Sequence, residues 1–148
     1  MKELDNEVEI HASAERVWHL LTDFASFPSW NPFIQQVRGE ATAGKQLEVT
    51  VQPTHAHATT SRPTVLMAEP NRELRWREQL LIPGLLDIEH SFTLLPLDAG
   101  RVRFTQRQIH TGLFSSLPAS RRYADLRRGF RAMNQALKQL AEQPQPAA

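Results

Sequence analysis

Two titratable side chains stand where strand alternation would carry them inward. Glu78 lies in LRWREQL and His90 in DIEHSFTLL, each with apolar residues two positions away on either side. A carboxyl or imidazole in apolar surroundings has its proton affinity displaced. That is the condition for general acid–base work on an enolisable ketone, and it makes Glu78 and His90 the candidate catalytic residues. Gln106, Gln108 and His110 share one face of RVRFTQRQIH. Such uncharged donors and acceptors orient a ligand carbonyl or hydroxyl in a mostly apolar pocket. The plainer reading is that these polar groups sit near strand ends, reach water or hydrogen-bond one another.

Other chemistry is thinly supported. The chain has no cysteine, which removes thiolate nucleophiles, disulfides, zinc–thiolate sites and iron–sulfur clusters. THAHA places His55 and His57 on one face, a spacing that can hold zinc, but no third ligand is evident nearby and no metal is expected. Glycine-rich phosphate loops and a Gly-x-Ser-x-Gly elbow are absent, so no cofactor is expected either. Arg121, Arg122, Arg127, Arg128 and Arg131 make the start of the last helical stretch basic, against the helix dipole. Such a run is read as a solvated face, with an acidic membrane surface or a phosphate-bearing ligand as the alternative.

The elements that must position these residues follow from periodicity. ELDNEVEIHA alternates as a half-buried strand, and Ser13 then offers an N-cap oxygen to a helix carrying Val17, Leu20, Leu21 and Phe24. Pro28 and Pro32 break the stretch FASFPSWNPF into at most a turn of helix and a bend. Strands are expected near 33–40, 45–52, 59–68, 71–80, 86–96 and 101–110, separated by turn-rich segments. In the fourth of these, Leu74, Trp76, Glu78 and Leu80 share the inward face; Ile88, His90, Phe92 and Leu94 do so in the next, and Val102, Phe104, Gln106, Gln108 and His110 in the last. RRYADLRRGFRAMNQALKQLAEQ then repeats Tyr123, Leu126, Phe130, Met133, Leu137 and Leu140 at steps of three and four, the clearest helix in the chain.

At 148 residues, 41% hydrophobic and 22% charged, the chain reads as one globular domain over 1–143 with a disordered tail at 144–148. A net charge of +1 calls for no nucleic acid. MKELDNEVEIHAS lacks the apolar centre of a signal peptide, and no run approaches the ~20 apolar residues of a membrane span. A cytoplasmic protein without stable membrane insertion is the expectation, with homodimerisation left open. Many strands closed by one long amphipathic helix give an α+β fold with a curved antiparallel sheet.

The stretch ASAERVWHLLTDFASFPSWNPFI resembles the opening of the START-like, or SRPBCC, superfamily in its polyketide cyclase/dehydrase and lipid-transport-like branch. EPNRELRW, HSFTLLPLDAGRVRFTQRQIHTGLF and RGFRAMNQALKQLAE are similar to that branch's middle turn, late strand pair and closing helix. The resemblance implies a helix-grip fold: a seven-stranded antiparallel sheet wrapped around a long C-terminal helix, with a tunnel for a small hydrophobic molecule between them. It also implies that FPSWNPF walls and partly gates the tunnel, although Trp30 and Phe33 are equally readable as core. The expected ligand-binding residues are Trp30, Phe33, Trp76, Glu78, His90, Phe92, Phe104, Gln106, Gln108, Phe130 and Met133. The leading expectation is a binding or carrier module, with a cyclase, dehydratase or isomerase as the alternative. A third, an interaction module resembling chaperone ATPase activators, rests on the basic helix alone.

Overall fold

The computed structural model describes residues 1–52, 57–80, 82–117 and 119–144. In chain order they form β1 (Lys2–Ile10), α1 (Ala14–Thr22), a 3₁₀ turn at Phe24–Ser26, α2 (Phe27–Trp30), β2 (Ile34–Arg38), β3 (Glu48–Val51) and β4 (Thr59–Ser61). Then follow β5 (Thr64–Glu69), β6 (Glu73–Leu80), β7 (Leu86–Asp98), β8 (Arg101–Thr111), a 3₁₀ turn at Leu113–Ser116 and α3 (Ser120–Glu142). The α+β expectation holds, and the strand count changes. The strand expected over 59–68 is two, because Pro63 has no N–H to give the ladder and ends β4 at Ser61. Eight antiparallel strands among the described residues therefore form two sheets, ordered β1-β8-β7-β6-β5 and β2-β3-β4. Among the described residues a single bridge, Gln46 opposite Thr64, joins them into one curved wall. Of the tail expected at 144–148, only Pro144 is among the described residues.

Helix α3 lies across the concave face and packs chiefly against β1. Its Phe130, Met133 and Leu137 are buried with Leu74, Phe92 and Phe104 of the sheet in one core. The far end of α3 is held by α1: the Arg16 guanidinium donates to the carbonyls of Ala141 (2.7 Å) and Leu140 (3.1 Å), a cation on the negative end of the helix dipole. Ser13 caps α1, as its position predicts, by accepting from Arg16 N–H at 3.2 Å. On the outer face of the sheet Arg75 pairs with Glu73 and Arg107 with Glu3, so the solvated face read from alternation is where it was expected.

The stretch between α1 and β2 is tied by its own polar atoms. The Asn31 side-chain oxygen accepts the N–H groups of Phe33 (2.9 Å) and Ile34 (2.8 Å), turning the chain after α2. Phe24, Phe27 and Phe33 are buried and Trp30 is half-buried. Phe33 lies against the backbone of α3 at Gly129, where an added Cβ would stand 2.2 Å from its ring. Only a glycine lets the bend and the helix approach so closely.

Candidate functional site

A cavity of about 1350 Å³ lies between the concave sheet and the first three turns of α3. Its apolar surface comes from Phe33, Val51, Leu80 and Ile88, and its polar surface from Ser61, Glu78, Gln108 and His110. Arg121, Arg122 and Arg128 stand at its rim with Thr59 and Thr60, all five exposed, so the space is not sealed from solvent.

Sheet register explains which side chains meet here. Glu78 pairs across the ladder with Ile88, and Ile88 with His110. Cross-strand partners share a face, so Glu78 and His110 flank Ile88 about 10 Å apart, two strand spacings. The next row inward is Trp76, His90 and Gln108, and the next Leu74, Phe92 and Gln106. Of the residues expected to bind a ligand, Phe33, Glu78 and Gln108 line the cavity. The others are placed away from its walls. Trp76, His90, Phe92, Phe104, Gln106, Phe130 and Met133 are buried in the core, and Trp30, half-buried, donates its indole N–H to Ser26 Oγ at 3.2 Å. The physical reason is close aromatic packing. His90 stacks on Phe92 with centroids 4.6 Å apart and meets Trp76 at 5.3 Å and Phe130 at 5.5 Å, which leaves no space beside its ring.

His90 is held between two amides, with Nε2 2.9 Å from Gln106 Oε1 and Nδ1 2.9 Å from Gln108 Nε2. Burial disfavours its charged form and depresses its pKa to about 3, so the ring is neutral. It has neither the access nor the free nitrogen of a general base. Glu78 differs. Burial raises its pKa, partly opposed by a hydrogen bond from Ser61 and by the charge of Arg122. His110 is depressed to about 4 by burial and then by the same arginine. Arg122 thus acts on both flanking groups.

Ser61 and Arg122 were not among the residues expected at the site. Ser61 ends β4, whose Thr59, Thr60 and Ser61 are all polar, so alternation marks no inward face there. The signal for Arg122 was present in the basic start of α3, which has no acidic residue in its first turn and no side-chain cap at Ala119. The run is exposed, as a solvated face should be, and it also brings Arg121, Arg122 and Arg128 to the cavity rim. Of the discounted histidine pair, His57 lies on the cavity wall and His55 is outside the described residues. Among the described residues no three His, Asp or Glu side chains are grouped to hold a metal, and no helix is long and apolar enough to cross a membrane.

Known proteins with this fold are easily found. A START superfamily protein from Mycobacterium smegmatis is 20% identical, with a TM-score of 0.72 over 95% of this chain and 97% of its own. A protein from Chromobacterium violaceum is 19% identical (TM-score 0.71; 96% and 98%), and the Zhui aromatase/cyclase from a Streptomyces species is 19% identical (TM-score 0.70; 95% and 93%). At such identities the likeness is one of fold. None of the curated proteins matches the sequence. The family model described as polyketide cyclase / dehydrase and lipid transport matches residues 1–143, which with the helix-grip architecture places the chain among START-like proteins as a member of that family.

Proposed function

We propose that this protein binds a small, mostly apolar molecule in the cavity between the sheet and α3. One observation carries the reading: about 1350 Å³ of space walled by Phe33, Val51, Leu80 and Ile88, with a few polar groups set among them. Ligand sites are concave and mainly apolar, and they use few polar contacts to fix orientation. Trp30 and Trp76 do not line the space, so melting temperature is a better reporter than their fluorescence. A flavonoid, fatty acid or aromatic polyketide present at about 100 times its Kd is expected to raise Tm by on the order of 5–10 °C. Ile88→Trp, which puts bulk between Glu78 and His110, is expected to abolish that rise. A panel of such compounds that leaves wild-type Tm unchanged would remove the reading.

A second reading is favoured by one specific observation, the presence of Glu78 and His110 on one wall. A carboxyl whose pKa is raised by burial is suited to taking a proton from carbon next to a carbonyl and returning it. In this reading Glu78 is the acid–base group and His110 a hydrogen-bonding partner. Benzoylacetone in deuterated buffer offers a direct test, since loss of its exchangeable C–H signal reports enolisation. Catalysis predicts faster exchange with protein than without, reduced roughly 10²-fold or more in Glu78→Gln. Exchange at the buffer rate would leave a binding protein only.

A further inference from the structure

Seven large apolar side chains are exposed among the described residues, and four of them, Ile82, Leu113, Phe114 and Leu117, belong to two segments that the backbone ties together. Leu113 N–H donates to the Gly84 carbonyl (3.0 Å) and Phe114 N–H to that of Leu85 (2.8 Å). Gly112, at φ +99°, lets the segments approach so closely, since an added Cβ would stand 2.7 and 2.8 Å from the Leu85 and Gly84 carbonyl oxygens. Within the 3₁₀ turn at Leu113–Ser116 the buried residue is Ser115, whose hydroxyl donates to the Gly112 carbonyl at 2.8 Å. Leu113 is 70% exposed and Leu117, just after the turn, 56%. A turn that buries its serine and exposes its leucines reverses what burial alone would select. Exposed apolar side chains gathered in one place and rimmed by polar residues mark an interaction surface.

Charge beside the cluster selects what covers it. Helix α3 begins shortly after Leu117, and Arg121, Arg122, Arg127, Arg128 and Arg131 are exposed along its first half. Lys2 adds a further cation, its Nζ 5.2 Å from the centroid of the Tyr123 ring. Of the five arginines only Arg128 has an ion-pair partner among the described residues, Asp125 at 2.8 Å. Other carboxyl groups stand on the strands nearby. Glu78 is turned into the cavity, where burial raises its pKa, and Asp87 accepts Gly84 N–H at 3.4 Å. On the outer face of the sheet Glu3 pairs with Arg107 and Glu89 with Arg75. The corner is left positive.

We propose that this corner is an interfacial docking surface for a membrane with anionic headgroups. Ile82, Leu113, Phe114 and Leu117 enter the boundary between headgroups and acyl chains, and the arginines of α3 meet the phosphates. Interfacial binding grows with the apolar area inserted and with attraction to anionic lipid, and the corner supplies both. A second copy of the chain on the same surface would set arginines against arginines. The apolar side chains stand on neighbouring loop segments, which a fluid lipid surface receives without needing a matching shape. Ser120 and Arg121 place the corner beside the cavity, but docking depends on surface residues alone, whatever the cavity holds.

Flotation of the whole chain with vesicles of phosphatidylcholine, alone or mixed with phosphatidylglycerol, is the test. Binding to the mixed vesicles is expected to be about tenfold or more tighter than to phosphatidylcholine alone, and to weaken as salt is raised. Both halves of the surface should contribute, so Leu113→Ser/Leu117→Ser and Arg121→Gln/Arg127→Gln should each lower affinity about tenfold or more. All four positions are exposed, and melting temperatures show whether each variant keeps its fold. In Leu113→Trp, fluorescence quenching by lipids brominated along their acyl chains should exceed that of the wild type, which reads insertion directly. Equal binding to the two vesicles, or no binding to either, would overturn the inference. So would charge-dependent binding that survives in Leu113→Ser/Leu117→Ser without quenching in Leu113→Trp, since that is adsorption by charge alone. A chain that ignores vesicles but self-associates in sedimentation, with the association lost in Leu113→Ser/Leu117→Ser, would assign the surface to a second copy instead. One that ignores vesicles and stays monomeric would leave it to a protein partner. None of these results bears on the cavity, whose reading is tested by melting temperature with small ligands.

Discussion

Truncating Trp76 to alanine is expected to cost about 3–5 kcal/mol, the full range for removing a large aromatic from a close-packed core. Trp76 is 3% exposed, meets His90 and Phe92 at centroid distances of 5.3 and 5.2 Å, and is not on the cavity wall. Its removal leaves a new void among atoms that cannot collapse to fill it. Had the indole lined the existing cavity, the loss would sit toward the low end of that range and ligand affinity would suffer more than stability. Urea melts of wild type and Trp76→Ala, with and without a bound flavonoid, separate the cases. A stability loss of about 1 kcal/mol accompanied by a large loss of affinity would place Trp76 at the ligand after all.

Acid should be nearly as damaging. His90 has a folded pKa of about 3 against an ordinary value of 6.5, so the unfolded chain binds a proton that the folded one refuses. The folded state is therefore undisturbed above pH 6.5 and loses about 1.4 kcal/mol for each unit below it, until the folded pKa is reached. Between pH 6.5 and 4 that amounts to about 3 kcal/mol from His90 alone. His110, depressed to about 4, works in the same direction over the same window. Glu78 works the other way. Its raised pKa penalises the folded state above the ordinary carboxyl value near 4.5, and acid relieves that penalty. Melts at pH 7 and 4 measure the sum, and His90→Phe isolates the main contribution. That variant leaves Gln106 and Gln108 short of a partner at every pH, so its stability is lower throughout, but its dependence on pH below 6.5 should be shallower. An unchanged slope would show that the acid sensitivity arises elsewhere.

The contrast between His90 and Glu78 shows how far the sequence could be read. Alternation placed both on the concave face, and both are there. Alternation reports a face and says nothing of position along it. The part of α3 from Phe130 onward, with Phe130 against the His90 ring, covers the row containing His90 and turns it into core, while the row containing Glu78 lies under the helix's first turns, where space remains. Where a helix stops filling a curved sheet depends on how the two cross, which no local pattern contains. Asn134 was hidden for a related reason. It interrupts no periodicity, since Asn134 and Gln135 between Met133 and Leu137 both look like solvated positions, yet Asn134 is 0% exposed and joins Gln106 to β1. The fold itself was legible because strands and the long helix are specified by many residues at once. The break at Pro63 was legible in principle, from the missing N–H, within what otherwise reads as one strand.

That break has a mechanical side. The wall formed by β2, β3 and β4 contributes Val51, Thr59, Thr60 and Ser61 to the cavity but is not continuous with the large sheet. Among the described residues, the main-chain bonds that splice the two are Gly44 N–H to Val65, Val65 N–H to Lys45 and Leu47 N–H to Pro63, each 2.8 Å. On the opposite side β1 and β8 are laced along all nine residues from Lys2 to Ile10. The container therefore has one stiff side and one compliant seam. If the cavity takes a ligand as proposed, a guest larger than the resting space is expected to strain the short seam before it disturbs the long ladder, so that the seam and not the recognising groups limits guest size.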